Sequence, residues 1–309
     1  MEKKLLFVVN PRSGRAEIRN KLSHILDSFT KAGYLTTVYL TQSQGDAERL
    51  VAEIGDRYDR VAVCGGDGTV NETLNGLMRL ENRPPLAIIP AGTTNDYSYT
   101  LHIPFNMLKA ADTAASDRIL TIDAGCFNGR YFTYVAAFGL FTDVTYETPQ
   151  DSKNILGSVA YVLEGAKRMS AIRSYRVKVE YDGGVIEDDV IVGLFSNSVS
   201  VAGLRTAFED AKLDDGLLEI TLVKMPKSFA DVQSIINILL NFETMRSVDS
   251  DFLRVVTTQR ARVTCAEPIA WTVDGESGGS GTEAEIGNVR RAIRVVAGED
   301  AVKNMLEPD

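Results

Sequence analysis

The chain has 309 residues, 44% of them hydrophobic and 24% charged, with 33 Lys and Arg against 42 Asp and Glu. That length and balance give room for two ordinary domains with sizeable cores and exclude a disordered chain. The net charge of -9 excludes general nucleic-acid binding and leaves any contact with an anionic surface to a local patch.

Met1-Glu2-Lys3-Lys4 precedes only a short apolar run, too short for a secretory signal, and no run approaches the ~20 apolar residues of a bilayer span. A cytoplasmic location is the expectation. The apolar run over 5–9 predicts a strand, 18–32 a helix stopping at Gly33, 36–41 a strand and 46–54 a helix. Residues 60–64 predict a strand ending in Gly65-Gly66, 69–80 a helix and 86–89 a further strand. Such alternation builds a parallel sheet covered by helices. Near residue 118 the pattern changes. Asn128-Gly129 separates strands over 119–127 and 131–137, and Asp182-Gly183-Gly184 separates strands over 175–181 and 185–195, both as hairpins. Strands over 217–223, 260–265, 270–273 and 293–296 follow, with helices only over 155–169 and 229–242 and a loop over 275–281.

The expected fold is therefore an α/β N-terminal domain with a parallel sheet and helices, then a mostly antiparallel β-sandwich. The division falls at 1–122, rejoined by 297–309, and 123–296. A β-rich second domain also offers a pairing edge for a homodimer. Cys64, Cys126 and Cys265 are scattered and odd in number, which predicts buried thiols rather than disulfides or a zinc site. His24 and His102 lack metal-ligand spacing.

Three polar loops follow strands of the first domain, at the edge where an open parallel sheet binds ligands. Asn10-Pro11-Arg12-Ser13-Gly14-Arg15 carries cations and a hydroxyl suited to polyphosphate, or forms a plain turn. Gly65-Gly66-Asp67-Gly68-Thr69 opens a helix, where glycines permit positive φ and close backbone approach, with Thr69 as the expected N-cap. Asp67 beside phosphates makes sense with Mg²⁺ between them; a tight turn braced by an aspartate explains the loop equally well. It is neither a Walker A loop nor the dinucleotide fingerprint. Gly92-Thr93-Thr94-Asn95-Asp96-Tyr97 is the third loop, in which helix capping accounts for Thr94 or Asn95 as well.

In order and spacing, Asn10-Pro11-x-Ser13-Gly14, Gly65-Gly66-Asp67-Gly68-Thr69-Val70-Asn71, Gly92-Thr93-x-Asn95-Asp96 and Val273-Asp274-Gly275-Glu276 resemble the diacylglycerol kinase catalytic family, and its soluble bacterial lipid kinases most. The likeness spans essentially the whole chain. It implies an ATP- and Mg²⁺-dependent kinase acting on a lipid hydroxyl at the inner face of the membrane, with diacylglycerol as the best-fitting acceptor. It implies that 1–122 binds nucleotide and 123–296 the lipid, and that Asn10, Pro11, Ser13, Gly14, Thr41, the segment from Gly65 to Asn71, and Thr93 line the ATP site. Asp67 and Asp96 would organise Mg²⁺ through water, Asp123 would be a further functional acid, and Asp274 the general base in an exposed Asp-Gly turn. Glu276 would orient Mg²⁺ or the base. Lys212 and Leu217 carbonyls with the Asp215 carboxylate would hold a structural Mg²⁺, where a plain turn is the alternative. The family's phosphate-loop cation, often Lys, is Arg15 here. An NAD kinase, a sphingoid or ceramide kinase and a non-catalytic nucleotide-binding regulator are the competing readings. A basic run through Lys167, Arg168, Arg173, Arg176 and Lys178 is either a solvated face or an anionic-lipid contact.

Overall fold

A computed structural model describes residues 3–13, 18–140, 173–197, 212–240 and 252–302. The first part is a parallel sheet of β1 (Lys3–Val9), β2 (Tyr34–Leu40), β3 (Arg60–Gly65) and β4 (Leu86–Pro90). The registers Leu6↔Thr37, Phe7↔Ala62 and Cys64↔Ile89 set the order β2-β1-β3-β4. Residues 5–9, 61–64 and 86–89 are buried, which explains their unbroken apolar runs: both faces of the sheet are covered. The covers are α1 (Ile18–Lys31), α2 (Asp46–Ile54), α3 (Asp67–Met78), α4 (Asp96–Thr100) and α5 (Met107–Ala115).

Two of these helices were not expected. α4 is little more than one turn, and α5 buries Met107 with Ala110, Ala111 and Ala114, side chains too small to give a strong apolar period. The start of α5 is nevertheless encoded locally. The Asn106 carboxamide oxygen accepts from the N–H groups of Leu108 and Lys109, at 3.1 and 3.2 Å.

The second part contains β5 (Ile119–Phe127), β6 (Arg130–Phe132), β7 (Val135–Gly139), β8 (Tyr175–Tyr181), β9 (Gly184–Ser196) and β10 (Leu218–Lys224). After α6 (Phe229–Leu240) come β11 (Leu253–Thr258), β12 (Arg260–Val273) and β13 (Glu276–Val296). Neighbouring strands among β5–β13 pair antiparallel. β9 and β12 each pair with β8 along one half and β7 along the other, through Val177↔Asp188, Ala137↔Leu194, Val263↔Val179 and Thr272↔Ala137. They thereby bend around a core in which Trp271 packs against Phe138 and Phe195, with ring centroids 4.8 and 5.7 Å away.

Several local expectations change. The strand expected over 131–137 breaks into β6 and β7, because the N–H groups of Thr133, Tyr134 and Val135 turn to the Asp274 carboxylate. The segments 260–265 and 270–273 join in one strand, β12, across an irregularity between Thr264 and Ile269. The expected loop over 275–281 is instead the start of β13. A Cβ on Gly278 would stand 2.9 Å from the Val273 side chain, so glycine lets the strands close, and Gly279 (φ +83) sits at a register shift. β11 was not expected at all. The helix expected over 155–169 lies outside the described residues.

β5 and β13 run side by side through both parts, from Val296↔Ile119 to Ile286↔Phe127. Leu120, Ile122, Ile293 and Val295 belong to the core of the first part, whereas Phe127, Ala284 and Ile286 belong to the second. Val295 also pairs in parallel with Leu86 of β4. Among the described residues no helix is long and apolar enough to cross a membrane. Cys64 is buried and the other two cysteines partly so; all three are free, and burial pushes the Cys64 thiol up to about 12.

Candidate active site

The loops after β1, β2, β3 and β4 meet at one edge of the parallel sheet. Three backbone hydrogen bonds of 2.9 Å lace them together, from Asn10 N–H to the Cys64 carbonyl, Thr41 N–H to Val9 and Ala91 N–H to Gly65. Asn10 then donates its side-chain amide to Thr69 Oγ1 (3.0 Å), and Ser13 Oγ accepts from Gly66 N–H (3.3 Å). Gly14 and Arg15 lie outside the described residues.

The glycine loop works differently from the expectation. Gly66, not Thr69, is the N-cap of α3; its backbone is extended (φ -86) and no side chain caps the helix. None of Gly65, Gly66 and Gly68 has positive φ. What they contribute is a missing Cβ. A Cβ on Gly65 would stand 2.5 Å from Thr69 Cβ, and one on Gly92 only 2.6 Å from Gly66 Cα. The uncapped first turn of α3 keeps free N–H groups and the positive end of the helix dipole for an anion.

Above this edge a cleft of about 1060 Å³ is walled by Asn10, Arg12, Ser13, Thr41, Gly66, Gly68, Thr69 and Asn71 from the first part, and by Phe127, Asn128, Arg130, Val273 and Glu276 from the second. That is the size of a nucleotide pocket. Of the residues expected at the ATP site, Pro11, Gly65 and Val70 do not line this cleft; Val70 is buried core. Thr93 faces a neighbouring cavity of about 580 Å³ on the far side of its loop. A third cavity, about 770 Å³, opens at the opposite edge of the sheet around Tyr34 and Arg60, away from every glycine loop.

The two parts touch at the chemistry. A Cβ on Gly68 would stand 3.1 Å from Glu276 Oε1, which brings that carboxyl close beside the α3 N-terminus. Asn71 Nδ2 donates to Asp274 Oδ2 at 2.8 Å. Asn71 and Asn75, one helical turn apart, both donate to the Tyr131 carbonyl (3.1 and 2.9 Å), and Tyr131 N–H returns to Asn75 Oδ1 (3.0 Å). This staple docks β6 onto α3.

Asp274 differs most from its expected role. Its turn is the expected Asp-Gly hairpin, with φ of 50 at Asp274 and 81 at Gly275, but its side chain is only 4% exposed. It accepts from Thr133 N–H and Oγ1 (both 2.7 Å), Tyr134 N–H (3.0 Å), Val135 N–H (3.1 Å) and Asn71. Burial raises its pKa, against the pull of those donors. A carboxylate so fully engaged holds the hairpin in place; it has no free lone pair directed at a substrate.

Asp67 is the first residue of α3 and accepts from Asn95 N–H at 2.8 Å. Burial raises its pKa, with Asp274 adding to the rise. Asn95 stands in αL (φ 56) as the N-cap of α4 without capping it; its side chain ties back to Gly92 N–H and C=O at 2.8 and 2.9 Å. Asp96 is buried at the start of α4. One group senses all these acids. Burial, then Asp274, Asp96, Asp67 and Glu276, pushes the Tyr134 phenol well above its ordinary range. These four carboxyl groups come from two parts of the fold.

Carboxylate oxygens of this kind suit a hard divalent cation, although Asp274 is already engaged by five donors. Among the described residues no three Asp, Glu, His or Cys side chains converge closely enough to hold an ion directly. Asp123 does not line the cleft, but after burial both Asp274 and Asp123 raise the pKa of the Tyr97 phenol. Asp123 sits within β5, and its carboxylate accepts from Gly216 N–H and Arg291 N–H, both at 2.7 Å, with burial raising its pKa. It pins the 212–217 loop to the β5–β13 ribbon. In that loop Asp215 Oδ1 accepts from Leu217 N–H (2.8 Å) and the Leu217 carbonyl from Asn288 (3.0 Å). The expected cation oxygens of Lys212, Asp215 and Leu217 thus sit in a turn braced by hydrogen bonds.

Of the basic run, Lys167 and Arg168 lie outside the described residues. Arg176 pairs with Asp189 (3.2 Å), Lys178 with Glu180 (2.8 Å), and Arg173 stacks on Tyr175. A cross-strand acid thus balances Arg176, whereas Lys178 pairs within its own strand with Glu180, two residues on.

Comparison with known proteins agrees with this geometry. The diacylglycerol kinase catalytic domain family matches residues 4–127, and the YegS C-terminal NAD kinase beta sandwich-like domain matches 137–297. The diacylglycerol kinase of Bacillus subtilis (strain 168) is 33% identical over 305 residues, 98% of this chain and 99% of that one. This chain belongs to the diacylglycerol kinase family. It is therefore a kinase, with an α/β first domain and a β-rich second domain. The diacylglycerol kinase of Staphylococcus aureus (strain bovine RF122 / ET3-1) is 34% identical over 308 residues, 99% of this chain and 96% of that one. Crystal structures of a candidate diacylglycerol kinase and of a diacylglycerol kinase, both from Bacillus anthracis Sterne, superpose with TM-scores of 0.83 and 0.76 at 29% and 28% identity. The first covers 97% of both chains, the second 97% of this chain and 98% of the other.

Proposed function

We propose that this kinase transfers the γ-phosphoryl group of ATP to the hydroxyl of a membrane lipid, diacylglycerol in the first place, giving phosphatidic acid. The observation carrying the reading is the contact between Gly68 and Glu276. It sets a carboxyl from the second domain beside the uncapped α3 N-terminus of the first. Phosphates at that N-terminus would place the γ-phosphorus within reach of a hydroxyl held by Glu276. As the acceptor oxygen bonds to phosphorus, its proton passes to Glu276 and the bridging P–O bond breaks toward ADP. Glu276 replaces Asp274 as proton acceptor, since it lines the cleft whereas the Asp274 carboxylate is spent on five donors. Asp274 is a positioning residue. Mg²⁺, held through water by Asp67 and Asp96, would neutralise charge on the phosphates; Thr41, Ser13 and Asn71 line the nucleotide side.

The same reading gives 1–122 with 297–309 the nucleotide and 123–296 the lipid, supported by two separate cores bridged by β5 and β13. A structural cation at Lys212, Asp215 and Leu217 belongs to it, as does work at the inner membrane face, where ATP and lipid meet. The homodimer rests on β11, an outer strand with Val255 exposed.

The test is transfer from labelled ATP to a panel of diacylglycerol, phosphatidylglycerol, ceramide and NAD, with Mg²⁺ and mixed micelles. Diacylglycerol is expected to be labelled. Glu276→Gln should lower kcat roughly 10²–10⁴-fold with nucleotide binding intact, whereas Asp274→Asn should lower both kcat and thermal stability. Labelling of NAD and of no lipid would overturn the proposal.

A further inference from the structure

We infer that Arg130, carried by the second domain, binds the polyphosphate of the nucleotide alongside the helix that the glycine loop opens; this rests on the kinase reading above. Of the residues walling the cleft, Arg12 and Arg130 are the only Lys or Arg side chains among those described. Arg12 enters from the loop after β1. Arg130 enters from across the cleft, as the first residue of β6, directly after the tight turn at Asn128 and Gly129 (φ 48 and 84).

The backbone at this point is fixed. Its neighbour Tyr131 is held at both N–H and C=O by Asn71 and Asn75 of the helix whose N-terminus faces the cleft. The guanidinium itself is held weakly. It is 55% exposed, its Nη2 stands 3.4 Å from Asn71 Oδ1, and its Nη1 stands 3.9 Å from Glu48 Oε2. Glu48 makes its closer ion pair with Arg79, through the other oxygen. Arg130 is thus a cation on a rigid base whose charge is not consumed by its resting partners. A guanidinium offers a planar fork that meets two phosphate oxygens at once, which a lysine cannot reproduce.

The geometry also gives Arg130 a task that Arg12 cannot perform. Because it belongs to the domain that carries Glu276, a phosphate bound between the two arginines ties the acceptor side of the cleft to the donor side. A bare structural role, bridging α2 and α3 through Glu48 and Asn71, is the competing explanation. The two differ in what they predict for phosphate as against nucleoside.

The experiment is calorimetric titration of the full chain with inorganic tripolyphosphate, a non-hydrolysable ATP analogue and adenosine, alongside melting curves. Variants are Arg130→Met, Arg130→Lys and, as a distant control, Arg176→Met. Arg130→Met should weaken tripolyphosphate and the ATP analogue roughly tenfold or more, the scale of one charge-assisted contact, and leave adenosine and the melting temperature unchanged. Arg130→Lys should fall between, because it keeps charge without the fork. Tripolyphosphate binding within twofold of the unmodified protein in both Arg130 variants overturns the inference, as does equal weakening of adenosine. Failure of the unmodified protein to bind any nucleotide would instead defeat the kinase reading.

Discussion

Asp67, proposed to organise Mg²⁺, shows how a buried carboxyl comes at a cost in stability. Burial and the neighbouring Asp274 raise its pKa, so the folded state binds its proton more tightly than the unfolded chain does. Stability from such a group is greatest at low pH and is lost as pH rises through the raised value. Asp67→Asn keeps an oxygen for the Asn95 N–H and removes the charge. The variant should therefore melt above the unmodified protein at pH 7.5 in the absence of Mg²⁺, by roughly the few degrees that ~1 kcal/mol makes in a chain of this size. The gap should close as pH falls toward the ordinary aspartate range, while kcat drops sharply. Scanning fluorimetry across pH reads it, and a gap that widens on acidification would refute the assignment. At this scale much of the site was legible: Asp67, Thr69, Asn71 and Glu276 stand in short motifs. Arg130, Tyr134 and Asn75 were not. They act through partners dozens of residues away in sequence, and nothing adjacent to them marks the contact. The burial of Asp274 was hidden for the same reason, since its donors come from the broken strand at 133–135.

At the scale of elements, the parallel strands and α2 could be read almost to the residue, because apolar runs and helical periods are local properties. What could not be read were elements defined by their neighbours: β11, the alanine-faced α5, and the glycine-rich opening of β13. The loops after β3 and β4 belong to this class. Gly66 and Gly92 touch backbone to backbone, so the phosphate loop is set by its neighbour as much as by its own sequence. Gly92→Ala would put a methyl 2.6 Å from Gly66 Cα. The substitution should cost roughly 1–3 kcal/mol by overpacking and raise KM for ATP more than KM for lipid. Unchanged KM for ATP together with an unchanged melting temperature would show that the two loops move apart freely.

For the whole molecule, β5 and β13 link the domains twice. Each strand leaves one core and enters the other within a continuous ladder, and Asp123 fastens the Arg291 bend (φ 47) where the register shifts between Val289 and Ile293. A linker of one extended segment would let the halves rotate freely. A paired ribbon resists twist and yields chiefly by bending at its irregularity. It also forbids either half from losing its fold alone, because unravelling one core strips hydrogen bonds from strands that complete the other. Calorimetry should accordingly show one heat-absorption peak, not two, and its midpoint should climb with protein concentration if copies associate along β11. On the proposed assignment of nucleotide to one domain and lipid to the other, heat would then destroy both sites together, and partially melted molecules able to hydrolyse ATP without a lipid would not accumulate.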